Sequence, residues 1–211
     1  MPLKINVPYA EKDLAKSNGA FWDKENKSWF VPDRIDINLF SKWIDTEKVS
    51  LIAKAPFWLG VNQKICWKCN NVTEVVALAS NRFLIYDYLD DDSDAQEWFI
   101  QDSFTFFSMP NYIEKEVLDI IRSRYPFFKL GYSKTVNGKY WANHCKCCGA
   151  LQGDFFMHEE PGGEFSPIDM DGYKAITLIE VPYKFDLMMD ASYSWASNEK
   201  EILKYIRREK W

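Results

Sequence analysis

The sequence predicts an α+β fold, with a small aromatic-rich N-terminal module and a larger antiparallel β domain carrying an inserted helix. Three observations lead there. Short apolar runs bounded by Gly, Pro, Asn or Asp recur along the chain and read as strands. Helical spacing is rarer, and its best example is Pro110 to Tyr125, where Ile113, Val117, Ile120 and Ile121 share a face. Two Cys-x-x-Cys pairs, Cys66-Trp67-Lys68-Cys69 and Cys145-Lys146-Cys147-Cys148, each can turn two sulfurs toward one ion from a tight turn.

The N-terminal elements follow in order. Lys4 to Val7 alternates like a short strand that Pro8-Tyr9 ends, and Glu11 to Asn18 reads as helix with Gly19 as its C-terminal cap. Phe21 to Asp23 and Ser28 to Val31 read as strands joined by the polar turn Lys24 to Lys27. Asp36 opens a short helix in which Leu39, Phe40, Trp43 and Ile44 recur at helical spacing. Phe21, Trp22, Trp29, Phe30 and Trp43 supply a small aromatic core, with Trp22 and Trp29 expected to be largely buried. The run Val7-Pro8-Tyr9-Ala10-Glu11-Lys12-Asp13, then Ala15-Lys16, Gly19 to Asp23 and Lys27 to Pro32, resembles a small uncharacterised bacterial domain. That domain has the pattern VPYxEKDxAKxxGAxWDxxxKxWYVP, with Phe30 here where Tyr is common. It occurs beside plasmid primases and other DNA-handling proteins of mobile elements. The resemblance covers about a fifth of the chain and implies context, with no catalytic residue carried over.

Residues 1–45 form this module, 45–55 read as a connector, and 56–211 form the main domain. Val75 to Leu78, Phe83 to Tyr86 and Phe104 to Phe107 read as strands. Phe127 to Tyr132 and Lys139 to Trp141 flank Asn137-Gly138, a strong hairpin signal that delivers the second cysteine pair. Phe155 to Met157 reads as its return strand, Tyr173 to Val181 as a further strand, and Asn198 to Arg208 as a C-terminal helix capped by Asn198.

The four thiolates Cys66, Cys69, Cys145 and Cys148 complete the tetrahedral shell that zinc prefers, so the main domain reads as zinc-ribbon-like with structural Zn2+. Simple ribbons separate their pairs by roughly 15 to 20 residues. Residues 70–144 here are therefore an insertion. Cys147 is the spare thiol, with a register using Cys147 in place of Cys145 left open, and His144 is an alternative ligand or an imidazole beside the site. Reduced cysteines or disulfides are the competing readings, the second weakened by an odd count of 5 Cys.

Charge is uneven. The chain has 26 Lys and Arg against 31 Asp and Glu, a net −5, so its overall field does not draw nucleic acid and any such binding needs a local patch. Residues 120–153 contain no acid but carry Arg122, Arg124, Lys129, Lys134, Lys139 and Lys146, interleaved with aromatic residues. That composition suits phosphate contacts with base stacking; a core of rings under a solvated face produces the same pattern. Asp90, Asp91, Asp92 and Asp94 form an acidic loop suited to a protein partner. As a calcium loop it lacks the turn glycine, replaced by Ala95, and the bidentate Glu, replaced by Gln101.

Asp154, Glu159, Glu160 and Glu164 border a Gly-rich loop and read as surface acids. Phosphate-loop, HExxH and GxSxG motifs are lacking. No apolar run approaches the ~20 residues of a membrane span, and the lack of an export signal places the chain in a reducing cytoplasm. The expectation is a zinc-stabilised, non-enzymatic binding protein, associated with nucleic acid in a mobile-element or phage-defence setting. The alternatives are an immunity protein or antitoxin using the acidic surface, and a nuclease or hydrolase whose carboxylate site leaves little trace in sequence.

Overall fold

The computed structural model describes residues 2–90, 94–194 and 203–211. The chain is an α+β fold of several antiparallel sheets. In the N-terminal module, β1 (Leu3–Ile5) leads through a 3-10 turn into α1 (Lys12–Ser17), then β2 (Phe21–Asp23) and β3 (Ser28–Val31). Gly19 takes φ +102 after α1, a backbone that L side chains rarely adopt. Asp23 Oδ1 accepts from the amides of Glu25 and Asn26 at 2.8 and 3.2 Å and so holds the β2–β3 turn. Asp36 caps a 3-10 helix, Ile37–Trp43, by accepting from Asn38 N at 3.0 Å.

The sheet order is β1-β3-β2, and Trp29, Phe40 and Trp43 are buried. Phe21 departs from the expected aromatic core, being 49% exposed, as does Trp22, at 45%. Trp22 shares a face with Trp29, its register partner, with ring centroids 5.6 Å apart. However, β2 is an edge strand, so Trp22 lies at the rim of the core that Trp29 fills.

The rest of the chain is layered. β4 (Leu51–Ala53), β5 (Trp58–Ile65), β6 (Val72–Ser80), β7 (Phe83–Tyr88), β8 (Gln96–Gln101), β9 (Thr105–Phe106) and β10 (Ser108–Ile113) precede α2 (Lys115–Arg124). β11 (Phe128–Ser133) and β12 (Gly138–Asn143) form a hairpin. α3 (Asp154–His158), α4 (Met170–Ala175), β13 (Thr177–Glu180), β14 (Leu187–Ser192) and β15 (Arg207–Lys210) follow. One sheet runs β10-β14-β4-β7-β8 and a second β15-β13-β5-β6-β9.

The faces alternate with period two. Leu51, Ala53, Leu187 and Met189 of the first sheet meet Leu59, Val76, Leu78 and Ile179 of the second, sealed by Val117 and Ile121 of α2. The other face of the first sheet, through Ile52, Leu84 and Trp98, joins the core of the N-terminal module. The other face of the second, through Val75, Ala77 and Leu178, packs on Met157, Phe165 and Ile206. Strands covered on both faces explain the continuous apolar runs of β4 and β6.

Several expected elements change under this packing. The connector at 45–55 contains β4, a buried strand of the first sheet between β14 and β7. The helix expected from Pro110 begins only at Lys115. Pro110 lies in β10, an edge strand whose register shifts between Ser108 and Tyr112, where a missing N–H is tolerated. Phe155 to Met157 is helical, because adjacent Phe155 and Phe156 are exposed while Asp154, Met157 and His158 are buried, which no half-buried strand can achieve.

Asp169 caps α4 by accepting from Gly172 N at 2.8 Å, so Tyr173 to Ala175 is helix and the strand is only β13. Asn198 and Ile202 lie outside the described residues. Residues 203–205 are helical, but Arg207–Lys210 pairs in parallel with the open edge of β13 as β15. Among the described residues, no helix is long and apolar enough to cross a membrane.

Candidate metal centre

Two hairpins deliver the cysteines. The first pair forms the turn between β5 and β6, and the second follows β12. Both turns close in the same way. Cys66 N donates to Asn71 O at 2.9 Å and Asn70 N to Cys66 O at 2.9 Å. In the second, Cys145 N donates to Ala150 O at 2.8 Å and Gly149 N to Cys145 O at 2.9 Å. Each turn needs a left-handed residue directly after its second ligand cysteine. Asn70 takes φ +57 and Gly149 φ +70.

A polar bridge fixes the second hairpin on β6. Buried Asn143 exchanges two side-chain hydrogen bonds with the backbone of Val76, at 2.8 and 2.9 Å, and Lys146 N donates to Thr73 Oγ1 at 3.1 Å. These bonds mimic a strand ladder and bring the two turns together. Sequence reasoning passed over Asn143, whose only local signal is an amide at the end of β12 after Tyr140, Trp141 and Ala142.

The Sγ atoms of Cys66, Cys69, Cys145 and Cys148 all lie within 4.8 Å of one another. Cys66 and Cys148 are 3.7 Å apart, and Cys69 and Cys145 3.6 Å. A tetrahedral shell with metal–sulfur bonds of about 2.3 Å has edges of about 3.8 Å. Gln152 Nε2 donates to Cys66 Sγ at 3.4 Å, Asn71 Nδ2 to Cys69 Sγ at 3.5 Å and Cys147 N to Cys145 Sγ at 3.4 Å. Donors aimed at the sulfurs are what thiolates require.

Burial opposes ionisation of Cys66, but the amides of Cys69 and Lys68 and the neighbouring thiols outweigh it and bring the thiol down to about 6. Cys148, despite the amide of Ala150, is pushed up to about 12 by burial and by the other three thiols. The donor set fits a metal ion, and the four residues can hold one. Four thiolates leave no open coordination position, so such a site scaffolds and does not catalyse.

Cys147 is exposed and stands outside the four. His144 also stands outside. Its ring packs at Gly131, where an added Cβ would come within 2.9 Å of it, and its Nδ1 lies 3.0 Å from Ala142 O. Burial lowers its pKa, which keeps the imidazole neutral.

The six basic residues of 120–153 are all exposed, but the structure divides them. In the β11–β12 register Lys139 faces Tyr132 and Trp141 faces Leu130, while Lys129 faces Ala142. Directly paired residues share a face and neighbours alternate, so Lys139 and Lys129 point to opposite sides. Arg122 lies over the Trp141 ring at 5.8 Å, on the side of Lys139. Arg124 lies over Tyr125 and Trp211, and Lys134 is at the hairpin tip. Lys146 pairs with Glu74.

Asp90 and Asp94 border the β7–β8 turn and are exposed; Asp91 and Asp92 lie outside the described residues. Of the four acids read as surface groups beside the Gly-rich loop, Glu159 and Glu160 are exposed, but Glu164 is partly buried and Asp154 is buried. Glu164 binds Lys64 at 2.8 Å, and Asp154 is 4% exposed, with Oδ2 accepting from Met109 N at 2.7 Å. Burial holds Asp154 up at about 7 and Glu114 likewise at about 7, while it pushes His158 down to about 3. None of these buried groups had a local signal, since each is buried by residues distant in sequence.

A family described as a domain of unknown function, DUF5710, matches residues 3–45. Two proteins named DNA primase TraC from Escherichia coli are similar over 39 residues, at 59% and 46% identity. Each alignment covers 18% of this chain and only 3% and 4% of the primases. No solved structure matches the chain. The N-terminal module thus carries the family match, the four cysteines lie outside that match, and the chain shares only a small segment with these primases.

Proposed function

We propose that this protein is a non-enzymatic, zinc-stabilised nucleic-acid-binding accessory factor of a mobile element, working in a reducing cytoplasm. The observation that carries the binding reading is one face of the β11–β12 hairpin. There Arg122 stacks over Trp141 while Lys139 and Tyr132 stand beside it, exposed. Guanidinium and ammonium groups meet phosphates, and rings offer bases a surface to stack on. The N-terminal similarity to segments of DNA primases supports a DNA-handling setting. Zinc is the metal of choice for a closed four-thiolate tetrahedron, and five free cysteines suit a reducing compartment.

The test is a salt titration of DNA and RNA affinity with the metal-loaded protein. Arg122→Ala with Lys139→Ala should weaken binding to all sequences and flatten the log–log salt slope by about 1.4 to 1.8, two phosphate contacts. Lys129→Ala, on the opposite face, should change it little. Undetectable binding at low salt, or equal effects from both sets, refutes the reading.

A further inference from the structure

A groove of about 550 Å³ lies between the first cysteine turn, the hairpin tip and α3. Ile65, Trp67, Lys134, Leu151 and Phe156 line it. Trp67 is 67% exposed and Phe156 62%, large apolar surfaces to leave in water. Neither is loose. Trp67 Nε1 donates to Leu151 O at 2.8 Å, so the indole is pinned by its edge with its ring surface bare. Phe156 is held by α3, whose Met157 and His158 are buried, and by an edge contact with Phe155 at 5.6 Å.

A fixed ring loses little conformational entropy when something stacks on it. Among the described residues no Asp or Glu lines the groove, although acids outnumber bases in the chain, 31 to 26. Lys64 at its wall is paired with Glu164, which leaves exposed Lys134 at its mouth and exposed Lys68 beside Trp67 to meet an anion.

We infer that this groove is a base-stacking site for single-stranded nucleic acid, with unpaired bases on Trp67 and Phe156 and the backbone phosphates at Lys134. The inference rests on the nucleic-acid reading above and adds a preference for unpaired strands. Two rings and an acid-free, lysine-edged mouth fit bases joined by phosphates. A duplex keeps its bases stacked inside and cannot use the rings. Tyr132 lies on the same hairpin, next to Ser133 and Lys134 of the groove, so a strand leaving the Arg122–Lys139 face reaches the groove around the hairpin tip.

The test compares a fluorescent single-stranded oligonucleotide of roughly 12 nucleotides with its duplex by anisotropy, using the full, metal-loaded chain. Trp67→Ala and Phe156→Ala should each weaken single-strand binding about 5- to 150-fold and duplex binding less than about 2-fold. Trp67→Phe should restore most of the loss, which mere damage to the cysteine turn would not allow, and the metal-to-protein ratio reports that damage directly. Phe156→Ala lies outside both turns and decides the matter if Trp67→Ala loses metal. Unchanged single-strand affinity in both Phe156→Ala and Trp67→Ala, beside a wild type that binds, overturns the groove and leaves the Arg122–Lys139 reading standing. A wild type that binds neither form overturns both.

Discussion

Asp154 gives a pH prediction with a definite sign. Its side chain is buried at the start of α3, where Oδ2 accepts from Met109 N and Oδ1 has no hydrogen-bond partner among the described residues. Burial raises its pKa from 3.8 to about 7. A raised folded-state value means that folding favours the protonated form. The stabilisation is full below about pH 4 and is lost as pH rises through about 7. Three pKa units at about 1.36 kcal/mol each make this about 4 kcal/mol. Asn at this position is neutral at every pH, and its carbonyl can still accept from Met109 N. Asp154→Asn should therefore be more stable than wild type by about 2 kcal/mol at about pH 5.5, rising to about 4 kcal/mol at about pH 8. Urea denaturation at the two pH values, both proteins loaded identically with metal, measures the difference and cancels the pH dependence of metal binding. An advantage that does not grow with pH, or a variant less stable at pH 8, refutes the assignment of a buried neutral carboxyl.

Two further outcomes concern the scaffold. Cys66→Ala should lose the metal and unfold the domain it clips, because the metal's binding energy is also folding energy, whereas Cys147→Ser should keep one metal per chain by elemental analysis; the opposite ranking would move the ligand register to Cys147. Trp29→Ala should cost about 3 to 5 kcal/mol in a thermal or urea melt, since Trp29 fills the N-terminal core beneath Trp22; a cost under about 1 kcal/mol would show that the module is not held by that ring.

How far the sequence foretold this depends on whether the determinant was local. The cysteine turns were legible because each Cys-x-x-Cys is contained in four residues, whereas the left-handed Asn70 after the first pair became visible only in the structure. The β11–β12 hairpin was legible for the same reason, with Asn137 at φ +53 in its turn. The short strands and capped turns of residues 3–45 were equally local. Nonlocal packing hid the rest. Leu51 to Ala53 reads as a connector until two neighbouring strands flank it. Pro110 suggests a helix start until the edge position of β10 excuses its missing amide. The basic segment looked like one patch because composition ignores the period of two; the register of β11 and β12 sends Lys129 and Lys139 to opposite faces.

The two cysteine turns also account for where function can reside. Asn143 already ties the second hairpin to Val76 of β6, and Lys146 N to Thr73, without any metal. A bound ion adds a clip between positions 76 residues apart, Cys69 and Cys145, and so removes most of the freedom left to the intervening chain. Its coordination shell is full, so its contribution ends at holding geometry. What it holds is Trp67, one residue from a ligand and pinned to Leu151, which bridges back to His144 at the start of the second turn. A ring fixed between the two cysteine turns and left two-thirds exposed is a poor use of apolar area for stability alone, since an alanine there would expose less. The cost of displaying it is intelligible if the clip exists to present that ring and the groove beside it to a ligand.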